Sequence, residues 1–173
     1  MELENLTLEE IRPFCDSLTT EKKYVTKPLE TVMGAEYITA VKIDGKLAGL
    51  GGLNRYYHFF PVSFYIVKAE FQKRGIGSQL AGHIANHARE KGYSFVISTV
   101  NIRNKPAVNM HLQQGYKTIY SVDGEYRMCF PLNWKGKITC SFLPLIFSIG
   151  FPVRHMLRRF RAQGASVDKV TKT

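Results

Sequence analysis

Apolar residues recur along this chain with two different periods. From Ile76 to Ala88, the residues Ile76, Leu80, Ala81, Ile84, Ala85 and Ala88 fall on one face of a helix that stops at Gly92. The stretches Tyr37 to Ile43 and Lys46 to Leu53 are instead dense in apolar and β-branched residues. They flank Asp44 and Gly45, a dipeptide suited to a tight hairpin turn. Tyr116 to Val122 and Glu125 to Pro131 repeat that arrangement around Asp123 and Gly124. Val62 to Val67 reads as a strand entered through Pro61 after the aromatic run Tyr56, Tyr57, His58, Phe59 and Phe60, and Phe95 to Val100 reads as a buried strand. A short helix begins near Pro106 and ends at Gly115. At the N-terminus, Thr7 and Glu10 have the spacing of a capping box for a helix reaching about Leu18, which Pro13 limits or kinks. The expected order is helix, three strands, helix, strand, helix, two strands, which makes an α/β fold with a sheet of mixed direction.

Composition adds little until the charge is divided. The 173 residues are 45% hydrophobic and 22% charged, as in an ordinary globular domain large enough to bury a core without disulfides or a structural metal. Cys15, Cys129 and Cys140 are odd in number and widely spaced, so they show neither a disulfide framework nor a metal site, and a reducing compartment is the natural reading. The opening Met1, Glu2, Leu3, Glu4 is acidic where a secretory leader would be basic and then apolar. Residues 1–132 carry 16 Lys and Arg against 13 Asp and Glu, whereas residues 133–173 carry 8 against 1. The net charge of +10 therefore belongs mainly to the tail, and the expected division is a domain over 1–132 and an apolar, basic extension over 133–173.

The segment with most chemistry lies between a strand and the long helix, from Val67 through Gln72, Lys73, Arg74, Gly75, Ile76, Gly77 and Ser78. Glycines there let the main chain approach an anion, and the first helical turn offers amides without partners in the helix. With 14 Gly, about one GxG is expected by chance, and Gly49, Leu50, Gly51 is a second copy. Only the copy at 75–77 has Gln three residues before it, a strand ahead and a helix behind. It lacks the GK[ST] of a nucleoside triphosphatase loop, and Leu80 stands at the third-glycine place of a dinucleotide fingerprint.

That loop, with Asn104, Ala107, Met110, His111, Gly115 and Tyr116 downstream, resembles the GCN5-related N-acetyltransferases, whose loop reads Q/RxxGxG/A. The resemblance covers roughly Tyr37 to Pro131 and implies a mostly antiparallel sheet flanked by helices, with acetyl-CoA as cosubstrate. It implies that Tyr65, Ile66 and Val67 pair with the pantetheine arm, that Lys73, Arg74, Gly75, Ile76, Gly77 and Ser78 hold the pyrophosphate, and that Asn104 bonds the arm farther along. His111 stands where many members have the Tyr that protonates the leaving thiolate, a role imidazole can fill. Some members carry a Glu base where this chain has Thr99, so water or an acceptor-pocket group would take the amine's proton. No metal is implied. The run 56–60 is expected to line the acceptor site or to pack in the core, and Glu36 is the nearest acid that could meet an amine.

If the run 56–60 lines the site, its aromatic rings suit a sugar ring or an apolar acceptor better than a polyamine, so the expected acceptor is a small or lipid-linked primary amine such as an amino sugar. Ile138 to Val153 contains no charge, and Val153, Met156, Leu157 and Phe160 then alternate with Arg154, Arg158 and Arg161 at helical spacing. Such a segment suits attachment over residues 138–161 to an anionic membrane surface, on the cytoplasmic face of the inner membrane. Packing on the domain or a homodimer interface is the alternative, and nucleic acid is the least favoured partner. A CoA-binding module without catalysis, or a nucleic-acid-binding protein, are the other functional classes.

Overall fold

The computed structural model of the protein describes residues 6, 8–20, 28–56 and 60–146. Helices α1 (Leu8–Thr20) and α2 (Pro28–Met33) precede strands β1 (Tyr37–Ile43), β2 (Lys46–Tyr56) and β3 (Phe60–Val67). Then come a 3-10 turn (Ala69–Phe71), α3 (Ile76–Glu90), β4 (Phe95–Asn101), α4 (Lys105–Gln113), β5 (Lys117–Val122) and β6 (Glu125–Pro131). A further helix, α5, occupies 134–146. The strands form one sheet in the order β1-β2-β3-β4-β6-β5, antiparallel at every join except β3 to β4. This is the mixed, mostly antiparallel sheet that the resemblance implied.

Both predicted hairpin turns form where the sequence put them. Asp44 and Gly45 have φ of 50° and 72°, and Asp123 and Gly124 have 51° and 76°, the pair of positive angles that matches strand twist across a two-residue loop. The six apolar positions of α3 are its six buried residues. They pack on β2 closely enough that a Cβ at Gly49 would lie 2.9 Å from Ile76 Cγ2, and one at Gly51 would lie 2.8 Å from Ile84 Cδ1. The second GxG is thus a packing feature, which distinguishes it from the copy at 75–77.

The helices lie on both faces of the sheet. On one, α3 and α4 bury Ile84, Ala88 and Val108 with Leu53, Val96, Val100 and Met128. On the other, Ile11, Phe14, Cys15 and Leu18 of α1 and Val32 of α2 pack with Ala40, Leu50 and Ile66. Pro13 lies inside α1 without ending it, because these four buried side chains outweigh one lost backbone hydrogen bond. The capping residue Thr7 lies outside the described residues. Helix α2 has too few residues to show a period, so only Pro28 at its first position hinted at it.

Helix α5 covers the β4–β6–β5 end of that second face. Its Cys140 and Leu143 are buried with Ile97, Ile119 and Cys129. A Cβ on Gly136 would fall on the Ser94 carbonyl, so this glycine permits the close docking. Cys129 and Cys140 are joined by a disulfide with their Cα atoms 6.0 Å apart. The expectation of no disulfide is therefore corrected: the turn at 132–133 folds α5 back over β6 and brings together two cysteines whose spacing follows no recognised pattern. Cys15 is a buried thiol, and burial, then the nearby Asp16, pushes its pKa up.

Candidate active site

Strands β3 and β4 run parallel, yet they pair at only two positions, Val62 with Ile97 and Ser63 with Ser98. Beyond that point β3 continues to Val67 with β2 as its partner, and β4 continues to Asn101 with β6 as its partner. The two strands form a fork, and Tyr65, Ile66 and Val67 line one prong. An extended ligand can enter such a gap and use the main-chain groups that the missing pairing leaves over.

The loop after β3 closes the open end of the fork. Lys68 N donates to Ala48 O at 3.0 Å, and Gln72 Nε2 donates to Val67 O at 3.3 Å, so the glutamine of the motif ties the loop to the strand it leaves. Lys73 and Gly75 both have positive φ, 63° and 78°. At Gly75 this turns the chain into α3 with no side-chain cap and no acidic residue in the first turn. The early amides of α3 are therefore left for an anion, supported by the helix dipole. Space for a Cβ at Gly77 is clear of protein, the nearest atom being Met110 Cε at 3.8 Å. Packing does not demand glycine there, whereas close approach of a phosphate would. Lys73, Arg74 and Ser78 are exposed, and Arg74 lies over the Phe71 ring. The Ser78 carbonyl accepts from Gln114 Nε2 at 3.2 Å, linking this end of α3 to the end of α4.

Asn104 caps α4, its Oδ1 accepting from Ala107 N at 3.3 Å. About two turns further on, His111 is buried. Its Nδ1 is 2.8 Å from the Ala107 carbonyl and its Nε2 is 2.8 Å from Ser98 Oγ. A carbonyl can only accept, so Nδ1 carries the proton and, in the neutral ring, Nε2 accepts from the serine. Burial lowers the His111 pKa from its ordinary 6.5, against the raising effect of the Ala107 carbonyl.

Around this ring lies a set of hydroxyls. Tyr65 Oη and Tyr116 Oη are 2.8 Å apart, Ser63 Oγ is 3.5 Å from Tyr116 Oη, and Ser63 Oγ donates to Ile97 O at 3.3 Å. The His111 ring centroid is 4.7 Å from that of Tyr116 and 5.5 Å from that of Tyr65. Ser63 and Ser98 are the last pair before the fork opens, so the polar cluster sits at its apex. Burial, followed by the neighbouring Tyr116, pushes the Tyr65 phenol well above its ordinary pKa of 10, and burial raises that of Tyr116.

The structure thus brings Tyr65 and His111 together at the apex, while Lys73 to Ser78 and Asn104 begin the two helices that follow the prongs. The hydroxyls of Ser63, Ser98, Tyr65 and Tyr116 went unread in the sequence as a group. One signal was present, since Ser98 interrupts the apolar face formed by Val96 and Val100. Thr99 lies opposite Arg127 in the sheet, and Arg127 pairs with Glu125 at 2.9 Å. Glu36 is held by Arg55 at 3.0 Å, and Arg55 Nε donates to Tyr93 Oη at 2.8 Å. In the aromatic run, Phe60 packs toward Phe95 and the α5 cluster, whereas residues 57–59 lie outside the described residues.

The profile of the Acetyltransferase (GNAT) family matches residues 3–116. The fold agrees with solved structures of low sequence identity. An N-acetyltransferase from Staphylococcus aureus Mu50 aligns with a TM-score of 0.64 at 17% identity, over 76% of this chain and 98% of that one. The ribosomal-protein-S18-alanine N-acetyltransferase from Escherichia coli aligns at 0.63 and 14% identity, over 76% and 94%. A Salmonella typhimurium protein solved with its cofactor acetyl-CoA aligns at 0.56 and 11% identity, over 76% and 92%. The chain belongs to the GNAT acetyltransferase family, and as a member it is an acetyl-CoA-dependent N-acetyltransferase. The uncapped start of α3, the clear space at Gly77 and the fork fit a phosphorylated cosubstrate with an extended arm.

Proposed function

We propose that this enzyme transfers the acetyl group of acetyl-CoA to the primary amine of a small or lipid-linked acceptor, such as an amino sugar, while held at an anionic membrane surface. The observation that carries the catalytic part is the fork between β3 and β4 with the uncapped end of α3 beyond it. In this reading Tyr65, Ile66 and Val67 bond the arm through their main chain, and residues 73 to 78 hold the pyrophosphate. Asn104 uses its Nδ2 donors on the arm, since its Oδ1 is committed to the cap. His111 and the hydroxyls near it stand where the leaving thiolate would be protonated. The acids Glu36 and Glu125 are each occupied by an arginine, which favours a mono-amine over a polycation.

The membrane part rests on α5. Trp134, Ile138, Phe142, Leu145 and Ile146 are each more than half exposed and recur at helical spacing, on the side away from the buried Cys140 and Leu143. The sequence continues through Phe147, Ile149 and Phe151 to Arg154, Arg158, Arg159 and Arg161. An apolar stripe running into clustered arginines suits the lipid interface, and anionic lipid is richest on the cytoplasmic leaflet. Among the described residues, no helix is long and apolar enough to cross a membrane.

Two assays test the reading. Acetyl transfer is followed by mass spectrometry over glucosamine, spermidine and an amine-bearing lipid presented in vesicles, and flotation is compared on anionic and neutral vesicles. Acetylated glucosamine or lipid, with flotation on anionic vesicles, is the expected result. Acetylated spermidine alone would contradict the acceptor class. A dimer by light scattering that ignores vesicles would replace the lipid with a second copy.

A further inference from the structure

We propose that the acceptor amine reaches the fork over Thr99, from the face of the sheet that carries α1 and α5, and that Arg127 beside this entry selects acceptors bearing a carboxylate or phosphate near the amine. This rests on the acetyl-transfer reading of the fork and narrows its acceptor class.

Side chains along β3 and β4 alternate between the two faces of the sheet. Ser63, Tyr65 and Ser98 point to the α3 and α4 face, where His111 and Tyr116 are buried against them, so that side of the apex is occupied. On the opposite face, α1 and α2 pack over Ala40, Leu50 and Ile66, and α5 packs over Ile97 and Cys129. Thr99 lies between these two covers. It is exposed although β4 is an interior strand, which marks an opening in the helical layer beside the fork. Phe64 follows the last pair on β3 as Thr99 does on β4, and its ring could close that opening. It lies over β2 instead, since a Cβ at Gly52 would fall on it. Glycine at 52 thus lets the ring fold back and keeps the entry clear.

The charge at this entry is Arg127. Cys129 is buried under α5, so alternation along β6 puts Arg127 on the same face. Its cross-strand neighbours are Thr99 on β4 and Tyr120 on β5, so no acid stands directly opposite it. Glu125, two residues away on its own strand, takes one of its five N–H donors, Nη1 to Oε2 at 2.9 Å. Among the described residues this is the bond that holds the guanidinium, whose side chain is 29% exposed. A guanidinium fixed at one end and open at the other is preorganised for a second oxyanion. It also repels an acceptor that arrives as an ammonium, and so favours the neutral amine that attacks the thioester. An anionic group on the acceptor offsets the repulsion. Strand spacing puts that group about 5–10 Å from the amine.

The test compares glucosamine, glucosamine 1-phosphate and muramic acid, which carries a carboxylate, as acceptors for the full chain. CoA release gives kcat and KM, and calorimetry gives acetyl-CoA affinity. Wild type is expected to acetylate the anionic amines with KM at least about 10-fold below that for glucosamine. Arg127→Gln should raise KM for those amines by about 10-fold to 10²-fold, the range of a charged hydrogen bond, with glucosamine changed less than about 3-fold and acetyl-CoA affinity intact. A structural role for Arg127 would move all three amines alike. Arg127→Lys should recover part of the loss, and Thr99→Trp should suppress transfer to every amine while acetyl-CoA still binds. Preference for one of the two anions supports the proposal and identifies the anion. If Arg127→Gln fails to fold, Glu125→Gln decides: it frees a donor and should lower KM for the anionic amines alone, and an unchanged KM overturns the proposal. Equal KM for the three amines in wild type, parallel changes in Arg127→Gln, or acetyl-CoA binding without transfer to either anionic amine also overturns it. Absence of acetyl-CoA binding by the wild-type protein would instead strike the acetyl-transfer reading.

Discussion

His111 Nε2 and Ser98 Oγ meet at 2.8 Å across the junction of α4 with β4, and both residues are buried. This contact replaces what would otherwise be apolar packing between a helix and the central strand. Its removal therefore leaves a cavity as well as unmet polar groups. His111→Ala is expected to cost about 2–4 kcal/mol in urea unfolding, and Ser98→Ala about 1 kcal/mol. The double variant should cost less than the two together, because each change removes the same bond. Losses below about 0.5 kcal/mol for His111→Ala would show that the ring is not part of the packed interior.

Acid should destabilise the fold through the same residue. The folded pKa of His111 lies below its ordinary 6.5, so the unfolded chain binds the proton more readily. Stability from this group is complete above the unfolded value and is lost as pH falls from there through the folded value. Urea midpoints measured downward from neutral pH should fall more steeply for wild type than for His111→Gln, which has no such proton to take up. Parallel profiles would contradict the lowered pKa.

The Cys129–Cys140 disulfide closes a loop with a sequence separation of 11. Loop-closure entropy of that size is worth about 3 kcal/mol. Reduction, or Cys140→Ser under oxidising conditions, should lower stability by about that amount and loosen α5 from the sheet. Equal unfolding midpoints with and without reductant would show that the bond is not formed in solution.

Truncation separates the two parts of the C-terminal extension. Deleting residues 147–173 should leave a folded protein, whereas deleting 133–173 removes Cys140 and Leu143 from a core they share with Ile97 and Ile119. Circular dichroism and gel filtration are expected to show the shorter variant aggregated or partly unfolded. A cooperative, monomeric 1–132 fragment would contradict this.

The sequence was readable where the signal was local. The two hairpins follow from Asp–Gly pairs, and α3 from six residues at one period. The loop at 72–77 could be told from Gly49–Gly51 because only one of them joins a strand to a helix. Two kinds of relation were not readable. The disulfide and the docking of α5 depend on how the chain turns at 132–133, which no periodicity records. The cluster at the fork draws Ser63 and Tyr65 from β3, Ser98 from β4, His111 from α4 and Tyr116 from the turn after it. Its members are scattered, and only parallel pairing of β3 with β4 brings them together. His111 was thus found by motif position, while the contacts that occupy both its nitrogens were visible only in three dimensions.

The most direct test of the cosubstrate site is calorimetric titration of acetyl-CoA into wild type and Gly77→Asp. Protein packing leaves room at this position, with 3.8 Å to the nearest atom. An acidic residue in the first turn of a helix is also favourable by about 0.3–1 kcal/mol. The variant should therefore fold at least as stably as wild type. A carboxylate facing the amides at the start of α3 would nevertheless occupy and repel the pyrophosphate, so affinity is expected to fall by at least about 10²-fold. Wild-type affinity in a folded Gly77→Asp protein would contradict the placement of acetyl-CoA at this helix end.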